Sequence, residues 1–102
     1  MKITKVRIRK LEKENSNVKA LAEVTLDNCF VVKEIRIVEK PEKMVVAMPS
    51  KTVYAKGESE YESVKKHKDL AHPINQETRE MFNNVILGVY ERADSLEYEE
   101  EL

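Results

Sequence analysis

The apolar residues of this chain change period once, near Asn75, and that change restricts the fold to a sheet followed by one helix. Before it, apolar side chains recur at about every second position in short segments, the pattern of strands with one dry face. After it, Met81, Phe82, Val85, Ile86, Val89, Tyr90 and Ala93 recur at three- and four-residue spacing and form one helical stripe about 100° wide. One amphipathic helix covers one face of a sheet. The expected class is therefore α+β: an antiparallel sheet of four or five strands with the C-terminal helix packed on one face. The chain has 102 residues, enough for one domain, expected over 1–96 with an acidic, fraying tail at 97–102. A chain this short buries only about 60–70% of the surface it exposes when unfolded. Its core is thin, and a homodimer that covers the second sheet face is expected.

The first segment carries Val6 and Ile8 on one side and Lys5, Arg7 and Arg9 on the other. Val18, Ala20, Ala22, Val24 and Leu26 alternate in the second, and Asp27 and Asn28 predict a tight hairpin because both tolerate positive φ. The third segment, Cys29 to Val38, loses its alternation near Lys33 and Glu34, where a bulge is expected. Met44 to Met48 forms a fourth, ended by Pro49. These later segments are apolar on both faces, as doubly covered strands are.

Residues 50–69 are polar and read as an exposed loop, with a poorly packed hairpin arm as the alternative, held by Val53, Tyr54, Tyr61 and Val64. Pro73 keeps Leu70 to Ile74 extended. Asn75 is a suitable N-cap, with Glu77 and Glu80 placing negative charge near the positive end of the helix dipole. Gly88 costs about 1 kcal/mol relative to Ala in a helix interior and is expected to mark a close backbone approach.

The net charge of −1 conceals a division. Residues 1–56 hold thirteen Lys and Arg against seven acids, a balance of +6, while residues 57–102 hold five against twelve, a balance of −7. An average near zero argues against a nucleic-acid binder; a segregated charge does not, provided folding keeps the two signs on different surfaces.

Several short strings carry a resemblance: MKIT at Met1 to Thr4, VRIRK at Val6 to Lys10, VAMPSK at Val46 to Lys51, LAHPIN at Leu70 to Asn75, and TRE at Thr78 to Glu80. In this order and spacing they closely resemble the SpoVG family, stage V sporulation protein G. The resemblance implies a small α+β domain, a dimer, and a bacterial regulator that binds DNA and RNA and affects septation and sporulation. It also implies basic residues directly after MPS that face nucleic acid. Here the match is Lys51, followed by Thr52 rather than a second basic residue, and the run Lys65, Lys66, His67 and Lys68 reads as its replacement.

The candidate nucleic-acid-binding residues are thus Lys51, Lys56, Lys65, Lys66 and Lys68 in the polar segment, with Lys5, Arg7 and Arg9 on the first strand. Lysines supply point charges more than bidentate base contacts, so modest sequence discrimination is expected. His67 and His72 show no metal-ligand spacing; His72 is expected to hold the start of the helix by a hydrogen bond, and Cys29 to be a small buried hydrophobe. With glycine only at 57 and 88 there is no phosphate loop or serine elbow, and no enzyme, metal, cofactor or small-molecule substrate is expected. No signal peptide is evident and no apolar run approaches the roughly 20 residues of a membrane span, so a cytoplasmic protein with no membrane partner is expected. The rival expectation is a protein-interaction module that acts on the division machinery without nucleic acid.

Overall fold

Strands β1 (Ile3–Lys10), β2 (Val18–Leu26), β3 (Phe30–Glu39) and β4 (Met44–Ala47) follow one another as an antiparallel meander in a computed structural model that describes residues 1–13, 15–56 and 63–102. A hairpin of β5 (Ser50–Lys56) and β6 (Ser63–Asp69) comes next, then helix α1 (Gln76–Arg92) and a last strand β7 (Glu97–Glu101). The main sheet has five strands in the order β4-β3-β2-β1-β7, all antiparallel, with α1 on one face. This is the α+β architecture expected from the single change of period.

Local chemistry explains the register. Asp27 and Asn28 take φ of 49° and 55° in the β2–β3 turn, the left-handed conformation that short polar side chains tolerate. The bulge near Lys33 is present: Glu34 has φ 63°, and the β2–β3 register slips between Ala22 and Val24. The slip keeps both Val32 and Ile35 on the helix side, where unbroken alternation would have turned one of them outward.

The core lies between α1 and one sheet face. It comprises Ile3, Val6 and Ile8 of β1, Ala20, Ala22, Val24 and Leu26 of β2, Ile35 and Ile37 of β3, and Phe82, Ile86 and Val89 of α1, with Ala93 just beyond. The small Ala20 and Ala22 lie in the central strand, where little side-chain volume is needed beneath the helix. Burial of a full Val or Ile side chain stabilises by about 1.5–3 kcal/mol, so the seven largest fully buried side chains account for much of the driving force.

Asn75 caps α1 as its sequence position predicts: Oδ1 accepts from the Thr78 N–H at 2.8 Å. Glu77 lies in the first turn, and Glu80, a turn further, accepts from Gln76 Nε2 at 3.0 Å. Near the other end Lys10 reaches across from β1, donating to the Ala93 carbonyl at 2.7 Å with its ammonium 5.6 Å from the Tyr90 ring centre. A cation there complements the negative end of the helix dipole and the face of the ring. His72 Nδ1 donates to the Pro73 carbonyl at 2.9 Å, and Arg79 donates to the same oxygen at 3.3 Å.

Four expectations need correction. Residues 97–101 are not a frayed tail but the edge strand β7, because they pair with β1 and lay Tyr98 against the rim of the core. Residues 50–56 and 63–69, expected within a loop, are the β5–β6 ladder, whose sparse apolar residues leave little strand pattern in the sequence. Cys29 is exposed, since it sits in the turn before β3 rather than inside the strand. Gly88 marks no close backbone approach: a methyl group there would meet only the flexible Arg92 guanidinium, at 3.4 Å.

Candidate nucleic-acid interface

The described candidate residues fall on two surfaces with opposite electrostatic surroundings. On β1 the register puts Lys5, Arg7 and Arg9 on the open face of the sheet, away from α1, as the alternation of the sequence predicts. The strand laid beside them is acidic. Antiparallel pairing sets Glu97 opposite Arg9, Glu99 opposite Arg7 and Glu101 opposite Lys5. Lys5 Nζ lies 2.8 Å from Glu99 Oε1, and Arg9 Nε lies 4.0 Å from Glu97 Oε1. On the other flank Arg7 pairs in register with Glu23 of β2. The hydrogen bond from Lys5 holds the Glu99 carboxyl below the usual carboxylate range. Each cation of the strip thus faces one glutamate of β7 in register.

The other face of β7 fixes the strand to the helix. The Arg92 guanidinium grips the Glu100 carboxylate with two donors, Nε to Oε1 at 2.9 Å and Nη2 to Oε2. The Tyr98 hydroxyl donates to Glu100 Oε1 at 2.9 Å. Donation from Arg92, and then from Tyr98, lowers the Glu100 pKa, while the same carboxylate raises the Tyr98 pKa and the Arg92 pKa.

Among the described residues the hairpin arm has no such cover. Its ladder is separate from the main sheet. Its base is tied down where the Leu70 N–H donates to the Pro49 carbonyl at 2.7 Å and Arg36 Nη2 donates to Ser50 Oγ at 3.1 Å. Within the arm, Lys51 is directly opposite Lys68, and Val53 is opposite Lys66. Side chains two positions apart share a face of a strand, so Lys51, Lys66 and Lys68 form one cationic group around Val53. All three lysines are exposed, and among the described residues no carboxylate lies within salt-bridge distance of them. Like charges directly opposite across a ladder are destabilising, and an anion laid over this face removes that cost. His67, opposite Thr52, falls on the reverse face. The side chains of Lys56 and Lys65 lie outside the described residues.

The fold therefore joins three of the candidate residues on the arm and three on β1, and among the described residues it sets carboxylates beside only the second group. Sequence reasoning missed the neutralising strand. A signal existed: Glu97, Glu99 and Glu101 repeat at the same period of two as Lys5, Arg7 and Arg9, in the complementary sign. Glutamate's weak strand propensity hides it.

A five-stranded antiparallel sheet under one helix, with a lysine-bearing hairpin arm between the fourth strand and the helix, defines a small α+β domain of sheet-and-arm type. The chain belongs to the SpoVG family, whose model matches residues 1–92. It is 45% identical over 95 residues to a protein of Caldicellulosiruptor bescii named "Putative septation protein SpoVG", covering 93% of this chain and 97% of that one. A protein of the same name from Clostridium perfringens is 41% identical over 100 residues, which is 98% of this chain and all of the relative. No helix among the described residues is long and apolar enough to cross a membrane.

Proposed function

We propose that this chain is a nucleic-acid-binding regulator of the SpoVG type, acting on DNA and also on RNA, in septation or sporulation-related gene expression. One observation carries the reading: Lys51, Lys66 and Lys68 share an exposed face of the arm, with Lys51 and Lys68 directly opposed and no described carboxylate beside them. Names of the relatives that refer to septation support the cellular role. The mechanism is electrostatic docking: lysines displace counterions from the phosphate backbone, with little base readout.

A homodimer completes the mechanism. On the face opposite α1, Val38 and Val45 at the β3–β4 end are only half-buried, and a second copy laid there, clear of the β1 strip, gives them cover and doubles the number of arms. If four to six phosphates are neutralised per dimer, log K falls against log salt with a slope of about −4 to −5. Gel-shift titration against random-sequence DNA and RNA at two salt concentrations tests the reading, and light scattering at micromolar concentration tests the dimer. A flat salt dependence, or no shift at all, leaves the protein-interaction module in its place.

A further inference from the structure

We infer that β7 is a displaceable acidic strap, covering in cis a second polyanion-binding strip made by Lys5, Arg7 and Arg9. The inference deepens the nucleic-acid reading and rests on it: the arm takes up the ligand first, and the strap governs whether the β1 strip joins.

The geometry is that of a ligand mimic. Glu97, Glu99 and Glu101 present carboxylates at alternate positions of an extended strand, about 7 Å apart on one face. Each stands opposite one cation of the strip, in the register Glu97 to Arg9, Glu99 to Arg7 and Glu101 to Lys5. An extended polyanion such as single-stranded nucleic acid offers the same sequence of negative charges. Glu97 also forms one wall of the shallow cleft on this face, with Arg7, Arg9, Leu21, Glu23 and Glu34. Moving β7 away opens that cleft along β1.

Displacing the strap breaks the Arg92–Glu100 grip and the β1–β7 ladder but leaves the core in place. β1 is already paired with β2 on its other edge, and its buried Val6 and Ile8 belong to the cluster beneath α1. Tyr98 is the one β7 side chain that packs on that cluster among the described residues. Glu97, Glu99 and Glu101 are exposed, and the ion pair of Arg9 with Glu97 joins side chains 70% and 79% exposed, so water and salt weaken it.

The test compares two variants of the full chain with the same change in net charge. Glu97→Gln/Glu99→Gln/Glu101→Gln disarms the strap; Glu42→Gln/Glu80→Gln/Glu91→Gln removes three exposed acids elsewhere. The probes are a 20-nucleotide oligo-dT and a heparin column, with amide exchange of β1 to β4 as a check that the sheet persists. The strap variant is expected to bind oligo-dT about tenfold tighter than the control at low salt, with a salt slope steeper by about 2. Adding Lys5→Ala/Arg7→Ala/Arg9→Ala is expected to cancel that gain. Equal oligo-dT affinity and equal heparin retention for both variants overturn the strap, and if they still bind oligo-dT the nucleic-acid reading survives. Later heparin elution of the strap variant, with no oligo-dT binding by any form, supports the strap and overturns the nucleic-acid reading.

Discussion

The β1 strip and the β5–β6 arm are both basic strands, and only their neighbours distinguish them. Lys5, Arg7 and Arg9 lie beside glutamates of β7, at 2.8 Å and 4.0 Å in the two close pairs. Lys51, Lys66 and Lys68 lie beside one another. The first arrangement lowers the energy of the folded chain alone; the second raises it and is relieved by an outside anion. A count of basic residues treats the two as equal, and the ladder register separates them.

The largest expected effect sets the two surfaces directly against each other. Lys51→Ala/Lys66→Ala/Lys68→Ala is expected to weaken DNA binding by about a hundredfold at low salt and to flatten the salt slope by nearly 3 per copy, read by fluorescence anisotropy. Lys5→Ala/Arg7→Ala/Arg9→Ala, with the strap intact, is expected to change affinity less than about threefold. Reversed magnitudes would move the interface to the sheet. Next in size is the helix cap. Asn75→Ala removes the acceptor for the Thr78 N–H and is expected to cost about 1 kcal/mol in urea unfolding of the main sheet and helix. The arm's ladder is separate, so affinity per folded molecule should hold.

How far the two regions were legible follows from their chemistry. The β1 strip was readable because alternation with Val6 and Ile8 fixes which side Lys5, Arg7 and Arg9 occupy. The helix and its cap were readable for the same reason, since Asn75 and the stripe from Met81 to Ala93 act over a few residues. The arm was only half readable: Val53 is a sparse apolar signal, and a strand that packs on little leaves little pattern. The β7 strand was the least legible: its glutamates repeat at a period of two, but its pairing partner is some ninety residues away and its one apolar anchor is Tyr98.

Acid offers a further way to sharpen the comparison. The Glu99 and Glu100 pKa values are depressed by Lys5 and by Arg92, so both carboxylates favour the folded strand while ionised. Their contribution is present above the ordinary glutamate range and is lost as pH falls through and below it. Amide exchange should therefore show β7 losing protection on acidification before β2 and β3 do, while the lysine face of the arm keeps its charge. Gly88→Ala, with only Arg92 Nη1 near the new methyl group, is expected to raise stability by up to about 1 kcal/mol without touching either surface. The smallest effect is the most pointed. Lys68→Glu sets opposite charges across from Lys51 and is expected to stabilise the β5–β6 ladder by about 0.2–1 kcal/mol while weakening DNA binding. Loss of both stability and binding would show that the arm pays nothing for its lysines.

The sequence by itself determined strands β1 to β4, the turn at Asp27 and Asn28, the bulge at Glu34, and the capped helix with its stripe, because propensity, φ preference and periodicity act between near neighbours. It also determined that the charge is divided, +6 in residues 1–56 and −7 in 57–102. Only the tertiary structure decided where those charges meet. The chain's last strand returns to its first and neutralises it, while the hairpin lays lysine against lysine. Coulomb energy depends on distance in space, and the pairings that set those distances join residues far apart in the chain.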